Sequence, residues 1–227
     1  MSNQQPNLSQ RARNHLSATT GRLIVLEGPD GSGKTTQAAR LAAWLGSNGR
    51  EVVTFRDPGG TALGERLRSI VKDRSGLSIG MRAEMLLFMS SRAQLVEEVI
   101  QPALERGAIV VGDRFMLSNV VYQGYAGGLN VEEIWKVGLV ATGGLLPDLT
   151  FIVDVPPEVA GLRIGPARDR IEDRGEDYRN KVRDGFLTAS KMYPAPIAVV
   201  DGSGDLDSVA ARLQSEVTRA LALAPRP

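Results

Sequence analysis

The sequence predicts an α/β fold, a parallel sheet covered by helices on both faces, and three observations carry that expectation. Short apolar runs recur along the chain, patterns with helical spacing separate them, and the runs lack the period-two alternation of a sheet with one wet face. In order, a polar leader over 1–20, rich in Ser, Asn, Gln and Arg, reads as disordered. The first apolar run, 22–27, is rich in β-branched residues and is followed by a helical pattern over 36–45. A second run at 51–55 precedes a helical pattern at 63–71. A long helical pattern from 81 to 106 is interrupted near Pro102, which lacks a backbone N–H and has a fixed φ. Runs at 108–112, 149–154 and 197–200 complete the strand candidates, each read as buried. Helical patterns at 131–141, 177–192 and 206–223 fall between and after them, and Pro225-Arg226-Pro227 reads as a frayed end. With no repeat at a solenoid period and no low-complexity tract past the leader, residues 21–224 read as a single domain.

Composition excludes several function classes. At 227 residues and 42% hydrophobic content, the chain can bury one good-sized core. Lys and Arg total 27 against 26 Asp and Glu, so a formal charge of +1 supplies no whole-molecule field for nucleic acid or an anionic membrane. No apolar run reaches the roughly 18 residues of a membrane span, and the leader lacks the apolar core of a signal peptide. A cytoplasmic location is the expectation. The chain has no cysteine, and its only histidine, His15, lies in the leader. Disulfides, cysteine ligation, zinc chemistry and His-based nucleophilic catalysis drop out.

Any phosphate chemistry must therefore be local, and one loop provides for it. Gly28-Pro29-Asp30-Gly31-Ser32-Gly33-Lys34-Thr35 fits G-x-x-x-x-G-K-[ST], and it lies between a strand and a helix as that motif requires. Backbone N–H groups of such a loop wrap phosphates, and the helix that follows points its positive dipole end at them. Lys34 is placed to reach the β/γ-phosphates, and the Thr35 hydroxyl to ligate Mg²⁺. The loop implies a nucleotide without saying what is done with it. The guanine-reading N-K-x-D is missing, since Asn180-Lys181-Val182-Arg183 has no Asp and lies in a helical pattern. A water-activating Asp-Glu is missing too: Val110-Val111-Gly112 runs into Asp113-Arg114-Phe115. An arginine there suits an acceptor phosphate. Arg163, Arg168, Arg170 and Arg174 lie in a charged stretch, about 163–176, interleaved with Gly165, Pro166, Asp169, Glu172, Asp173 and Gly175. It reads either as a solvated connection or as a lid whose arginines neutralise a transferring phosphoryl group.

From about Gly21 to Leu221 the chain resembles the thymidylate kinase family. The resemblance rests on Glu27 to Thr36, similar to E-G-x-D-G-x-G-K-[ST]-T, and on Arg56-Asp57-Pro58-Gly59-Gly60-Thr61, similar to R-E-P-G-G-T. It extends through Glu84-Met85-Leu86-Leu87-Phe88-Met89-Ser90-Ser91-Arg92 and Asp113-Arg114-Phe115-Met116-Leu117-Ser118-Asn119-Val120-Val121-Tyr122-Gln123-Gly124. Pro147-Asp148-Leu149-Thr150 and Asp169-Arg170-Ile171-Glu172 complete it. The resemblance implies a P-loop NTPase fold with a five-stranded parallel sheet, a homodimer, and transfer of the ATP γ-phosphoryl group to dTMP with Mg²⁺. Kinases for another nucleoside monophosphate, and a P-loop protein that binds ATP without turnover, stand as alternatives.

Position by position, the resemblance implies that Gly28 through Thr36 bind the ATP phosphates and that Arg56 and Arg114 clamp the acceptor's 5′-phosphate. Phe88 stacks beneath the base, Arg92 hydrogen-bonds its O4, Asn119 and Gln123 meet its edge, and Arg68 supports the pocket. Tyr122 crowds the sugar's 2′ side and Asp30 holds its 3′-hydroxyl. Lys34, Arg114, Arg168, Arg170 and Asp113 form the implied catalytic set, with Arg163 a further candidate and Arg174 a weaker one. Asp113 assists Thr35 at the metal through a coordinated water. Asp57 departs from the family's Glu by one methylene, which leaves its contact open, and the lid is shortened around Gly165-Pro166.

Overall fold

The computed structural model describes residues 21–74, 76–164 and 170–221. Five strands form one all-parallel sheet: β1 (Arg22–Glu27), β2 (Val52–Arg56), β3 (Ile109–Asp113), β4 (Leu149–Asp154) and β5 (Ile197–Asp201), in the spatial order β2-β3-β1-β4-β5. Each was expected within a residue or two. The continuous apolar runs are explained for β1, β3 and β4, which are buried almost throughout because helices cover both faces. β2 and β5 correct the expectation of burial: each has one neighbour, stands at a sheet edge, and is partly exposed.

Two helical layers pack on the sheet. On one face Ile24, Leu26, Val111 and Phe151 meet Leu41 and Leu45 of α1 (Lys34–Ser47) and Val209, Leu213 and Val217 of α9 (Leu206–Ala220). On the other, Leu23, Val25 and Val110 meet Leu95 at the end of α3 (Met81–Leu95), then Val96, Ile100 and Leu104. Each such fully buried aliphatic side chain stabilises the fold by about 1.5–3 kcal/mol. α2 (Ala62–Lys72) packs on α3, while Met85, Met89, Leu117, Val121 and Ile152 join Ile134 of α6 (Val131–Ala141) and Phe186 of α8 (Glu176–Ser190) in a further cluster. Arg183 of α8 grips Asp154 at the end of β4 with two hydrogen bonds of 2.8 Å.

The interruption near Pro102 is a π-helical turn, Val96–Ile100, between α3 and α4 (Gln101–Glu105). Gln101 N–H bonds the Val96 carbonyl, five residues back. Pro102 offers no N–H and its ring crowds the carbonyl four residues earlier, so a wider turn relieves both problems. Two helices lie where none was expected. α5 (Met116–Asn119) runs into a second π turn, Val120–Tyr125, and α7 (Pro157–Arg163) follows β4. A 3-10 turn, Glu172–Arg174, precedes α8. The leader with His15, residues 165–169 with Arg168, and Pro225-Arg226-Pro227 lie outside the described residues. Among the described residues no helix is long and apolar enough to cross a membrane.

Candidate active site

All strands point their C-terminal ends to one side, and there β1 has its sequence neighbour β2 not beside it but beyond β3. A crevice opens at such a switch point. The glycine loop occupies it. Gly31 has φ 79° and Gly33 φ 89°, values that side chains rarely adopt. Gly33 also stands at the N-cap of α1, where it has no side chain to bond the first-turn N–H groups. These donors face the loop, and the buried Ser32 Oγ has no partner among the described residues.

Lys34 is buried, with Nζ bonded to the Pro29 carbonyl at 3.2 Å and 3.7 Å from Asp30 Oδ1. Burial, with Arg114 nearby, pushes its ammonium down to about 8 against the pull of Asp30, Asp113 and Glu27. Thr35 Oγ1 donates to Asp113 Oδ2 at 2.6 Å, joining the start of α1 to the end of β3. Asp113 Oδ1 is buried without a partner among the described residues, an acceptor left unmet beside this hydroxyl. Among the described residues no three acidic or imidazole groups gather as a metal cage. The pair suits Mg²⁺, which keeps waters and phosphate oxygens in its shell.

Arg114 is the one described non-glycine residue at positive φ, 70°. That turn drives its guanidinium back over the glycine loop. Nη1 donates to the Gly28 carbonyl at 3.1 Å and to Ser118 Oγ at 3.0 Å, and Nη2 to Asp30 Oδ1 at 2.5 Å and Tyr122 Oη at 3.1 Å. The guanidinium also lies 5.0 Å from the centre of the Tyr122 ring. Burial works against the Asp30 charge, yet Arg114 and Lys34 hold its carboxyl well below the usual range. Burial pushes the Tyr122 hydroxyl well up, and it donates to Asp30 Oδ2 at 2.9 Å.

A cleft of about 400 Å³ runs from this loop between α2, α3 and the α5 segment. Every acceptor-side residue expected from the sequence lines it: Asp30, Arg56, Asp57, Arg68, Phe88, Arg92, Arg114, Asn119, Tyr122 and Gln123. Phe88 is only half-buried, so it presents a ring to the cleft and is not part of the core. Arg92 is fully buried, bonded through Nε to Asp57 Oδ2 at 2.5 Å and 5.5 Å from the Phe115 ring centre. The shortened carboxylate at 57 thus reaches Arg92 on the wall of the cleft. Arg56 is exposed at the cleft mouth, 3.7 Å from Glu65, and Arg68 donates to the Pro58 carbonyl at 2.9 Å. Of the loop residues, Thr36 is exposed on α1.

The arginine-rich stretch divides. Arg163, at the end of α7, lines the cleft; its Nη1 donates to the Gly202 carbonyl at 3.0 Å and lies close to Gly33. Arg170 departs from its expected place at the phosphates. Nη2 donates to Glu84 Oε2 at 2.5 Å, and Nε and Nη2 donate to the Val71 carbonyl at 3.1 and 3.0 Å. Arg174 joins the same Glu84 oxygen and donates to Tyr178 Oη at 2.7 Å. A carboxylate with no exposed surface needs cations beside it, and Glu84 has drawn both.

Three residues with no role in the sequence reading help to build the site. Glu27 accepts from Phe115 N at 2.8 Å, Ser118 N at 3.2 Å and Ser118 Oγ at 2.5 Å, which caps α5. Ser118 passes that constraint to Arg114. Glu84 accepts from Gln123 Nε2 at 2.8 Å besides the two arginines. The signals available were their places in the family-like motifs and, for the two acids, a lone charge at the edge of an apolar run, in Val25-Leu26-Glu27 and in Glu84-Met85-Leu86-Leu87-Phe88.

Comparison with known proteins agrees with this geometry. The family model described as thymidylate kinase matches residues 26–213. A thymidylate kinase of Rhodopirellula baltica is 44% identical over 190 residues, covering 84% of this chain and 77% of its own. One from Thermoanaerobacter sp. is 45% identical over 190 residues, covering 83% and 93%. Another from Bifidobacterium longum is 42% identical over 200 residues, covering 87% and 97%. With that match across most of its length, and with the phosphate loop and the acceptor cleft meeting at Arg114, the chain belongs to the thymidylate kinase family.

Proposed function

We infer that this chain transfers the γ-phosphoryl group of ATP to dTMP, giving ADP and dTDP. The observation that supports it best is the continuity of one cleft, with Lys34, Thr35 and Asp113 at one end and Phe88, Arg92, Asn119 and Gln123 at the other. Arg114 stands between them. Four acceptors hold its guanidinium over the glycine loop, and an acceptor phosphate would take over some of these N–H groups. Arg56, at the cleft mouth, completes the clamp, and guanidinium forks match phosphate oxygens in charge and geometry. Lys34 binds the transferring end of ATP, whose negative charge restores the full ammonium that burial weakens. Thr35 and Asp113 would hold a magnesium ion, which neutralises charge on the phosphate oxygens when bound.

Phe88 stacks on the base, Arg92 is aligned toward it by Asp57, and Tyr122, fixed by Asp30 and Arg114, crowds the sugar's 2′ side. The acceptor phosphate is already anionic near neutral pH, so the protein supplies alignment and charge stabilisation and no covalent intermediate. A homodimer through α2, α3 and α6 accounts for the exposed apolar side chains Leu63, Ile70, Leu86 and Val140 on those neighbouring helices. Initial rates with ATP across dTMP, dUMP, UMP, CMP, AMP and GMP test the reading, with dTMP expected to give the highest kcat/KM. A higher value for any other acceptor, or ADP release independent of acceptor, overturns it. Sedimentation of the same preparation as a monomer would remove the dimer.

A further inference from the structure

The cleft contains a hydrogen-bond relay whose direction is set from outside it. Glu84 of α3 has no exposed surface and is surrounded by donors: Arg170 and Arg174 on Oε2, and Gln123 Nε2 on Oε1 at 2.8 Å. Gln123 Oε1 in turn accepts from Asn119 Nδ2 at 2.9 Å. Asn119 Oδ1, at the end of the chain, is buried and has no partner among the described residues, and Asn119 lies on the cleft wall. A relay of two amides has two possible directions. Turning Gln123 over would set its carbonyl against the Glu84 carboxylate, two acceptors without a proton between them. Asn119 would then have to turn as well, and would offer an N–H₂ donor in place of its oxygen. Arg170 and Arg174 donate to one Glu84 oxygen and Gln123 to the other, so one direction survives.

We propose that Glu84 is a positioning residue for acceptor choice: it fixes Gln123 so that Asn119 presents an oxygen, selecting a base with a ring N–H over one with a bare ring nitrogen. The proposal rests on the reading of the acceptor as dTMP. Thymine and uracil both carry N3–H; cytosine has a lone pair at that position and would be left facing an oxygen lone pair. A buried acceptor that goes unpaired rejects the wrong ligand more strongly than a missing methyl group does.

The test compares kcat/KM for dTMP, dUMP and dCMP at saturating ATP in wild type, Glu84→Gln and Gln123→Met. An amide at 84 can donate as well as accept, and methionine at 123 cuts the relay, so either change frees Asn119 to turn. In both variants the dTMP to dCMP ratio should narrow by about 10-fold, while the dTMP to dUMP ratio, which does not depend on N3–H, stays put. A purely structural role would lower all three substrates by one factor, or move dUMP as much as dCMP, and either result overturns the proposal. Should Glu84→Gln fail to fold, Gln123→Met decides alone. Failure of the underlying reading is visible separately, as a wild type inert toward dTMP.

Discussion

Glu27 ends β1 with no exposed surface, and its carboxylate stands where Phe115, the N-cap of α5, has no oxygen to offer the helix. Burial pushes its pKa from 4.5 up to about 7, against the hydrogen bond from Ser118, the charge of Arg114, the Phe115 N–H and the charge of Arg92. The folded protein therefore holds this proton more tightly than the unfolded chain does. Stability from Glu27 is full below its unfolded pKa and is lost as pH rises through its folded value. Wild type should lose on the order of 2 kcal/mol relative to Glu27→Gln between about pH 5 and pH 8. Denaturant unfolding of both proteins across that range checks this; parallel profiles would mean that Glu27 titrates as an ordinary carboxylate. The residues that line the cleft were legible because their types suggest phosphate or base chemistry, and all ten positions expected on the acceptor side lie there. Glu27, Glu84 and Ser118 were not, because their work lies in the partners they hold, and partners distant in sequence appear only once the chain is folded.

Three helices open on a side-chain cap, and α1 does not. Thr61 bonds Gly64 N–H at the start of α2, Asn130 bonds Glu133 N–H at α6, and Asp205 bonds two N–H groups at α9. α1 begins instead at Gly33, with no side-chain cap and no acid in its first turn. The donors and the dipole end that those three helices spend internally remain at α1 for an anion. Keeping them in place requires Gly31, where a Cβ would come 2.4 Å from the Ala160 carbonyl of α7 and φ is already 79°. Gly31→Ala should cost about 1–3 kcal/mol of stability and at least tenfold in ATP affinity. Gly46→Ala, in the same helix with nothing within 4 Å of the added carbon, should be neutral or gain up to about 1 kcal/mol. Calorimetric titration with ATP separates them, and equal affinities would show that the loop tolerates a side chain at position 31. Helices with strong periods were readable from sequence, and so were all five strands, as short continuous apolar runs. α5 and its π turn were not, since a π turn shifts the 3.6-residue period in mid-helix, and α7 spans only seven residues. Edge position was equally hidden: β2 and β5 are as apolar as their neighbours, and only strand order exposes them.

At the scale of the molecule, the parallel sheet gathers the ends of β1, β2 and β3 on one side, so the glycine loop, Arg114 and the Thr35–Asp113 pair lie together although 86 residues separate Gly28 from Arg114. The described residues at the two ends of the arginine-rich stretch are anchored differently. Arg163 lies beside Gly33, within the cleft, and its backbone partner Gly202 sits past the end of β5. Arg170 and Arg174 are tied to Glu84, on the acceptor wall. An arginine that meets the phosphoryl group in transit should lower kcat far more than it raises either KM, by on the order of 10³ where arginine-finger magnitudes apply. Arg163→Ala should show that pattern. Arg170→Ala should instead raise the KM for dTMP, because it releases Glu84 and with it the relay through Gln123 to Asn119. Arg168→Ala, outside the described residues, belongs in the same series. Steady-state kinetics with each substrate varied at saturation of the other separates the roles. A fall in kcat for Arg170→Ala near 10³-fold, with both KM values unchanged, would mean that this arginine leaves Glu84 during turnover and reaches the phosphoryl group itself.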